Sequence, residues 1–300
     1  SSIAEEEEQE EYHHVVSPST KRMSHIEFAD HARNYVKQKF ARVSKRDATA
    51  TGKCLEMCPA YQIDIREQQG DIGSFERDPR QEVKVGEITK SIREICVKKY
   101  ERSAAEKATP PPEYLRPPSI LAKTLDYLID VLVDQTTFSL NDMVEFVRDR
   151  CRSISQDLIY QNIRDSDFID LHEQIVRFHI IFQHRLAAQK DYDPQYNMER
   201  LNNYLKNLRE VYAEHNQQGF MSVNQSEFIT YYILTRIGSS SGESEIVRVL
   251  RSSPPDIYRS PDVTFALQVN AAFTQSNWSR FFKLVDRATY LQSCLLFNLF

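Results

Sequence analysis

Apolar residues recur every three or four positions through most of the chain, the spacing that places them on one face of an α-helix. Five long stretches show it: Ile120–Leu132, Leu140–Leu158, Phe168–Leu186, Met198–Tyr212 and Phe228–Ile237. Shorter stretches follow, up to Phe300. No glycine occurs between Gly86 and Gly219, so this part lacks the tight turns that β-hairpins need. The pattern predicts an all-α fold.

Helix start signals support these boundaries. They are Ser139 with Asp142, Asn224 with Glu227, Asp193 before Pro194, and Ser260 before Pro261. The connections are short, so successive helices should pack antiparallel. Because the chain has no fixed-period consensus, we expect an irregular α-solenoid of antiparallel helix pairs.

Three regions divide the chain. Residues 1–24 are acidic and poor in apolar side chains, and we expect them to be disordered. Residues 25–118 form an N-terminal block, and residues 119–300 form the helical-repeat scaffold. The chain begins without Met and ends on the apolar run 295–300, so we expect a scaffold truncated at its C-terminus.

The N-terminal block combines helices with irregular segments. Helices are predicted at His25–Ser44 and at about Glu87–Glu101. Between them lies a small, sulfur-rich segment, residues 52–59, which we call the knot. A Pro-rich segment, residues 110–118, which we call the strap, leads into the first long helix and should be stiff and extended.

The net charge of −5 arises from the beginning of the chain. Six of the 43 acidic residues lie in residues 1–20, which contain no Lys or Arg, so the remainder has 37 acidic against 38 basic residues. Basic clusters within that remainder could contact nucleic acid, although a solvated helix face explains them equally well. The candidate contacts are Lys45, Arg46, Lys53, Lys98, Lys99 and Arg148.

Catalytic motifs are missing. The sequence has no Gly-rich phosphate loop, no Gly-x-Ser-x-Gly elbow and no His-Glu-x-x-His zinc helix. Cys54 and Cys58 could share a metal, but zinc needs four ligands and no further Cys or His follows within thirty residues. We expect no cofactor and no enzymatic activity. The alternative is a thiol- or metal-dependent enzyme built on Cys54, Cys58 and His179.

The five cysteines are too scattered for a disulfide framework and indicate a reducing compartment. No apolar run approaches eighteen residues, so we expect no membrane insertion. Arg148, Arg150, Arg152 and Asp157 recur at helical spacing, which suits internal clamps between helices better than phosphate recognition.

Two motif groups about fifty residues apart resemble the SAC/GANP family, and further matches follow in order to the end of the chain. The motif residues are Cys54, Met57, Cys58, Pro59, Arg66, Arg116, Pro117, Pro118, Tyr127, Arg150, Arg152, Asp157 and Gln161. The family's usual Glu three residues after Cys-Pro is Gln62 here.

This resemblance implies an α-helical, PCI/tetratricopeptide-like scaffold of a nuclear mRNA-export complex acting at nuclear pores. Its implied partners are a PCI-type helical and winged-helix protein, a small acidic disordered protein, and RNA. The family's terminal winged helix is not expected within this chain. A shorter family member acting in centrosome duplication and mitosis, at the centrosome or in the cytoplasm, is the alternative.

Overall fold

The computed structural model describes residues 51–77, 90–102, 110–133, 138–190 and 192–299, with the side chain of Asn298 left aside. Across these residues the regular structure is helical and contains no strand, which confirms the predicted all-α class. The α-helices are α1 (Ala60–Gln68), α2 (Pro118–Asp126), α3 (Leu140–Tyr160), α4 (Ser166–Arg185), α5 (Pro194–Gln217), α6 (Gln225–Leu234), α7 (Gly242–Ser252), α8 (Pro255–Tyr258), α9 (Pro261–Thr274), α10 (Trp278–Val285) and α11 (Tyr290–Leu296). The predicted disordered residues 1–24 and the predicted helix His25–Ser44 lie outside the described residues.

The helix predicted at Glu87–Glu101 is wrong in its described part, where only the single turn Arg93–Ile95 is helical. The backbone amides that follow are taken by distant acceptors. Those of Val97, Lys98 and Lys99 donate to the Glu76 carboxylate, the Met57 carbonyl and the Gln62 side chain at 3.0 Å each. Because these bonds replace the intrahelical ladder, the segment is extended.

Two compact units make up the chain. Unit 1 comprises the described residues up to Asp126 and residues Arg152–Asn162, and unit 2 comprises Tyr127–Cys151 and Ile163–Phe300. The core of unit 1 includes a small cluster of Cys58, Ile63 and Cys96, all buried. Its few helices leave many backbone groups to be satisfied by side chains.

Unit 2 is built from α4 to α11 with the first part of α3. Helix α4 packs on α5, and the order of the contacts shows the directions of the chain. Arg164 before α4 bonds to Glu214 near the end of α5, whereas His179 in α4 bonds to Asn197 at the start of α5. These two helices therefore run antiparallel, as short connections predict.

Helix α6 runs parallel to α4. Glu173 accepts from Asn224 at 2.7 Å, and one turn later Arg177 donates to Glu227 at 2.9 and 2.8 Å. The later residue of α4 contacts the later residue at the start of α6, so the two helices run in the same direction. Tyr212 on α5 also donates to Glu173 at 2.7 Å. Three helices are thus joined through one buried glutamate, and the up-down-up order suits the predicted helical repeat.

The predicted start signals are confirmed at three helices. The side chains of Ser139, Asp193 and Ser260 accept from the amides of Asp142, Tyr196 and Val263. Helix α6 also begins where predicted, with Asn224 as the N-cap residue and Glu227 in the first turn, but the Asn224 side chain makes no capping bond. Its side-chain amide bonds instead to the glutamate on α4.

Candidate functional site

A buried aspartate lies at the centre of the polar contacts of unit 1. Asp157, near the end of α3, accepts from Nε of Arg116 at 2.7 Å and from Nζ of Lys98 at 2.6 Å. Arg116 is fully buried and also donates to the Met57 carbonyl at 3.1 Å and to the Ser153 hydroxyl at 3.0 Å. One carboxylate therefore faces two cations and joins chain segments that are far apart in sequence.

The knot and the strap are also joined through their backbones. The amide of Cys54 donates to the carbonyl of Leu115 at 3.0 Å, and the amide of Gly52 donates to Gln161 Oε1 at 2.7 Å. Gln161 in turn donates to the carbonyl of Arg116 at 2.8 Å. A Cβ atom at Gly52 would lie 2.4 Å from the oxygen of Leu115, so glycine is required for this approach.

A second buried ion pair fixes α1. Arg66 donates through Nη1 to Glu76 Oε1 at 3.0 Å and through Nη2 to Oε2 of the same carboxylate. Burial opposes the charge of Arg66, but the hydrogen bonds and attraction of Glu76 outweigh it and raise the pKa of the guanidinium. Glu76 Oε1 also accepts from the amide of Val97. The pair holds the extended segment that replaces the predicted helix.

The thiols of unit 1 are protonated at neutral pH. Burial raises the pKa of the Cys54 thiol, that of Cys58 to about 12 and that of Cys96 to about 11. Cys54 donates to the carbonyl of Glu56 at 3.4 Å, and Cys58 donates to Gln62 Oε1 at 3.3 Å. In this protonated, buried form a thiol is a poor nucleophile, and a metal ion would have to displace its proton to bind. In the part of the chain that the structure describes, no three His, Cys, Asp or Glu side chains are grouped to hold a metal ion.

Gln62 uses both ends of its amide. Its Oε1 accepts from the amide of Lys99 at 3.0 Å, and its Nε2 donates to the carboxylate of Glu101 at 3.0 Å. A glutamate here, the residue that the resemblance leads us to expect, could accept but not donate. It would also face a second carboxylate. The glutamine therefore suits this environment through hydrogen bonding.

The prolines of the motif stand at helix starts. Pro59 precedes α1, and its carbonyl accepts from the amide of Gln62 at 2.9 Å. The carbonyl of Pro117 accepts from the amide of Ile120 at 2.9 Å, and Pro118 is the first residue of α2. Tyr127 is half-buried and begins a π-helical turn, Tyr127–Leu132, after α2. The prolines thus set where α1 and α2 begin.

The two remaining motif arginines contact a neighbouring aspartate and a tyrosine 52 positions earlier in the sequence. Arg150 is buried and pairs with its neighbour Asp149. The guanidinium of Arg152 lies over the ring of Tyr100, 3.7 Å from its centroid. Asp157, on the same helix, bonds to the strap and to the extended segment.

Arg148 lies inside unit 2. It pairs with Glu145 at 2.6 Å, and its guanidinium lies 4.7 Å from the ring centroid of Tyr196 and 6.0 Å from that of Tyr192. The side chain is 3% exposed. A phosphate contact here stays a prediction that this burial disfavours.

The other predicted nucleic-acid contacts differ in their surroundings. Lys45 and Arg46 lie outside the described residues. Lys98 is buried against a carboxylate, and Lys99 is bonded to an exposed aspartate at 2.8 Å. Lys53 is exposed. Among the described lysines of this set, Lys53 and Lys99 have side chains that reach solvent.

The predicted histidine of the enzyme alternative is a core residue of unit 2. Nδ1 of His179 lies 2.7 Å from Asn197 Oδ1, and Asn197 donates to Gln183 Oε1 at 2.7 Å. Nδ1 of His172 lies 2.9 Å from the carbonyl of Phe168. Burial lowers the pKa of both histidines to about 4, so both are neutral at physiological pH. Cys54 and Cys58 belong to the other unit.

Sequence reasoning missed Glu76 and the pairing of Lys98. Glu76 stands in a Gly- and Pro-containing connection where nothing in the pattern distinguishes it from a surface residue. The sequence places Lys98 in a basic cluster, whereas its carboxylate partner is 59 positions away. No local pattern marks either residue, because the apolar spacing of this segment is helical and the groups that Glu76 and Lys98 contact lie 10 to 59 positions away.

Comparison with known proteins agrees with the resemblance seen in the sequence. The sequence profile of the SAC3/GANP family matches residues 57–300. SAC3 family protein 1 of Schizosaccharomyces pombe is 34% identical over 268 residues, which cover 83% of this chain and 25% of that protein. SAC3 family protein B of Arabidopsis thaliana is 31% identical over 264 residues, covering 84% of this chain and 15% of that protein. Protein xmas of Drosophila melanogaster is 30% identical over 265 residues, which cover 85% of this chain and 12% of that protein.

The chain thus spans a quarter or less of the length of these three relatives. The family match covers the strap, α1 to α11 and the last three residues of the knot. Within the described ranges, no helix combines the length and apolar character needed to cross a membrane.

Proposed function

This chain belongs to the SAC3/GANP family, and on that premise we propose that it is a noncatalytic scaffold segment of a nuclear mRNA-export complex. The observation that carries the proposal is the family match over residues 57–300. Helices from residue 119 onward would present the surface to which protein partners bind. The site of action would be the nucleus, at the nuclear pore.

The internal role of the motif residues supports a scaffold rather than an enzyme. Asp157, Arg116 and Lys98 satisfy one another, and the thiols of Cys54 and Cys58 are protonated. Catalysis requires a reactive group with a free coordination or hydrogen-bonding position, which these side chains do not offer. Their contacts instead fix the shape of unit 1, as a binding platform requires.

The partners follow from the family. A PCI-type protein and a small acidic disordered protein would bind the helical region. The relatives that the chain matches are several times longer than the matched region. Length of this kind favours the export type of family member over the shorter type acting in mitosis.

Affinity capture tests the proposal. The whole product of the gene and the 300-residue chain would each be tagged and incubated with nuclear extract, and bound proteins would be identified by mass spectrometry with chemical cross-linking. We expect a PCI-type subunit in stoichiometric amount, cross-linked to helices after Ser119. Recovery of no PCI-type subunit by the whole gene product would contradict the proposal.

A double variant separates the scaffold from the enzyme alternative. Cys54→Ser with Cys58→Ser should leave the captured proteins unchanged, and metal analysis of the purified wild-type chain should find less than one equivalent of any transition metal. Stoichiometric metal that disappears in the double variant would favour the enzyme.

A further inference from the structure

One arginine edge in unit 2 lacks the partner that its chemistry requires. Nε and Nη2 of Arg148 are buried, and neither has a hydrogen-bonding partner among the residues that the structure describes. These two parallel N–H groups form the edge of a guanidinium that binds an oxyanion through two bonds. The same edge of Arg177 donates to Glu227 at 2.9 and 2.8 Å. Arg148 therefore presents an oxyanion-binding edge that no described carboxylate occupies.

The carboxylate that Arg148 does contact lies on the solvent side. Glu145 accepts from Nη1 at 2.6 Å and is 55% exposed, whereas Arg148 is 3% exposed. The guanidinium is thus one side chain below the surface, and its unpartnered edge is the one that Nη1 does not share. Buried donors of this kind are rarely left unsatisfied in proteins, so this edge indicates an ion or a water.

A second guanidinium reaches the same place. The guanidinium carbons of Arg148 and Arg200 lie 4.7 and 4.9 Å from the ring centroid of Tyr196. Nε of Arg200 is also buried, with no hydrogen-bonding partner within the described ranges. Two like charges around one ring repel each other, and an anion beside both would remove that repulsion. The two arginines together offer three unsatisfied donors.

An unsatisfied acceptor lies near these donors. Nδ1 of His179 donates to Asn197 Oδ1 at 2.7 Å, because the amide nitrogen of Asn197 is itself a donor to Gln183 Oε1 at 2.7 Å. Nε2 of His179 therefore carries the lone pair, and it is buried without a partner in the described part of the chain. Burial first, and then the positive charges of Arg148 and Arg200, lower the pKa of this imidazole to about 4, so both cations are within electrostatic reach of it.

We propose that unit 2 holds one free hydrogenphosphate ion at these three side chains. Its charged oxygens would accept from the edge of Arg148 and from Nε of Arg200, and its hydroxyl would donate to Nε2 of His179. Sulfate has the same shape but no proton to donate at neutral pH, so it would leave the imidazole lone pair unsatisfied. The burial that disfavours a nucleic-acid strand at Arg148 does not exclude a free ion.

The ion would join three helices of unit 2. Arg148 lies on α3, His179 on α4 and Arg200 on α5. One anion would therefore fix the first part of α3 against the antiparallel pair that follows it. This inference goes beyond the proposed export role and does not depend on it, since it concerns a small ligand of the chain alone.

Equilibrium dialysis of the full chain against radioactive inorganic phosphate tests the site. We expect one ion per chain. The equilibrium constant of unfolding should fall about tenfold when phosphate reaches ten times its dissociation constant, because the ion binds only the folded chain. Sulfate at the same ionic strength should bind about tenfold more weakly or less, since one buried acceptor then stays unpaired.

Variants assign the binding to named residues. Arg148→Lys keeps the charge but removes the two-bond edge, and it should abolish stoichiometric binding. Arg164→Lys makes the same exchange in an exposed ion pair and should bind as the wild type does. It also corrects for the general stabilisation of proteins by phosphate and sulfate. Arg200→Lys should weaken binding about tenfold or more, and it replaces the first variant if that one does not fold.

Three results would overturn the inference. Absence of bound phosphate in the wild-type chain would assign the buried donors to water. Equal phosphate binding by Arg148→Lys and Arg164→Lys would place the ion elsewhere on the chain. Equal affinity for sulfate and phosphate would show that no hydroxyl donates to His179, and the site would then not be one for hydrogenphosphate.

Discussion

Units 1 and 2 use buried polar side chains in different ways. In unit 1 both partners of each central ion pair are buried: Asp157 with Arg116 and Lys98, and Arg66 with Glu76. In unit 2 the buried charged residues Arg148, Arg150 and Glu173 each pair with a residue that is 28 to 55% exposed, and the core of α4 adds neutral groups such as the imidazole of His179. Regular helices satisfy their own backbones, whereas the irregular knot and strap depend on side chains to do so. Loss of a polar side chain should therefore be more costly in unit 1.

The largest effect is expected from Arg116→Ala. Asp157 would lose its fully buried guanidinium partner and keep Lys98 as its one cation, with a 3.4 Å bond from the backbone amide of residue 116, which leaves a buried carboxylate poorly compensated. Breaking a buried pair in this way typically costs about 3 to 5 kcal/mol of unfolding free energy. Urea unfolding measures the loss in unfolding free energy. Hydrogen exchange should be faster in the knot, the strap and α1 than in the helices after Ser166.

Arg164→Ala serves as the matched control for that change, since it removes an arginine from an exposed ion pair. Equal loosening of both units in Arg116→Ala would contradict the comparison, because it would mean that the buried ion pair does not act locally.

The second prediction concerns acid and unit 2. Burial lowers the pKa of His172 and of His179 to about 4, and Arg148 and Arg200 further oppose protonation of His179. The unfolded chain takes up these protons near pH 6.5, and the folded chain only near pH 4. Stability is therefore complete above pH 6.5 and falls as the pH decreases toward 4. Each histidine should cost about 1.4 kcal/mol at pH 5.5, one unit below its unfolded pKa.

Urea midpoints at pH 7.5 and 5.5 would measure this loss. His179→Gln keeps a hydrogen-bonding partner for Asn197 but does not titrate, so it should remove about half of the histidine contribution. A pH dependence identical to that of the wild type would show that the imidazole is already protonated or exposed in the folded chain.

The third prediction tests the close approach of the knot to the strap. Gly52→Ala places a Cβ atom 2.4 Å from the carbonyl oxygen of Leu115, so the backbone must separate and the bond from Cys54 to Leu115 must lengthen. Overpacking of this kind costs about 1 to 3 kcal/mol. A lower urea midpoint with faster exchange of the Cys54 amide would agree with it. An unchanged midpoint would mean that the strap moves away freely.

The sequence predicted unit 2 better than unit 1. The physical reason is that the helices of unit 2 leave a local pattern in the sequence, whereas unit 1 depends on contacts between distant residues. Apolar periodicity located α3 to α5 because their core residues recur at helical spacing, which is a local signal, and α6 was located by an apolar segment that is buried without a break from Phe228 to Leu234. The extended segment at Val97 to Lys99 was assigned to a helix because its bonds go to groups 21 to 41 positions away. Local sequence patterns do not identify such distant partners.

The motif residues show the same limit. The resemblance singled out Arg116 and Asp157 without indicating that they bond to each other, 41 positions apart. Spacing along α3 predicts only that Arg150 and Asp157 share a face, and in the structure Arg150 pairs with its neighbour Asp149. Periodicity tells which residues share a helix face, and it does not tell which segment packs there.

The smallest effect is expected from Arg164→Ala. Its two bonds to Glu214 are short, at 2.6 Å each, but the side chains are 39% and 45% exposed and the charges are screened by solvent. Exposed ion pairs contribute about 0.2 to 1 kcal/mol. The variant should therefore unfold within about 1 kcal/mol of the wild type, and its small deficit should shrink further in 1 M salt. A loss as large as that of Arg116→Ala would show that burial is not what separates the two units, because both arginines bond to a carboxylate and differ chiefly in exposure.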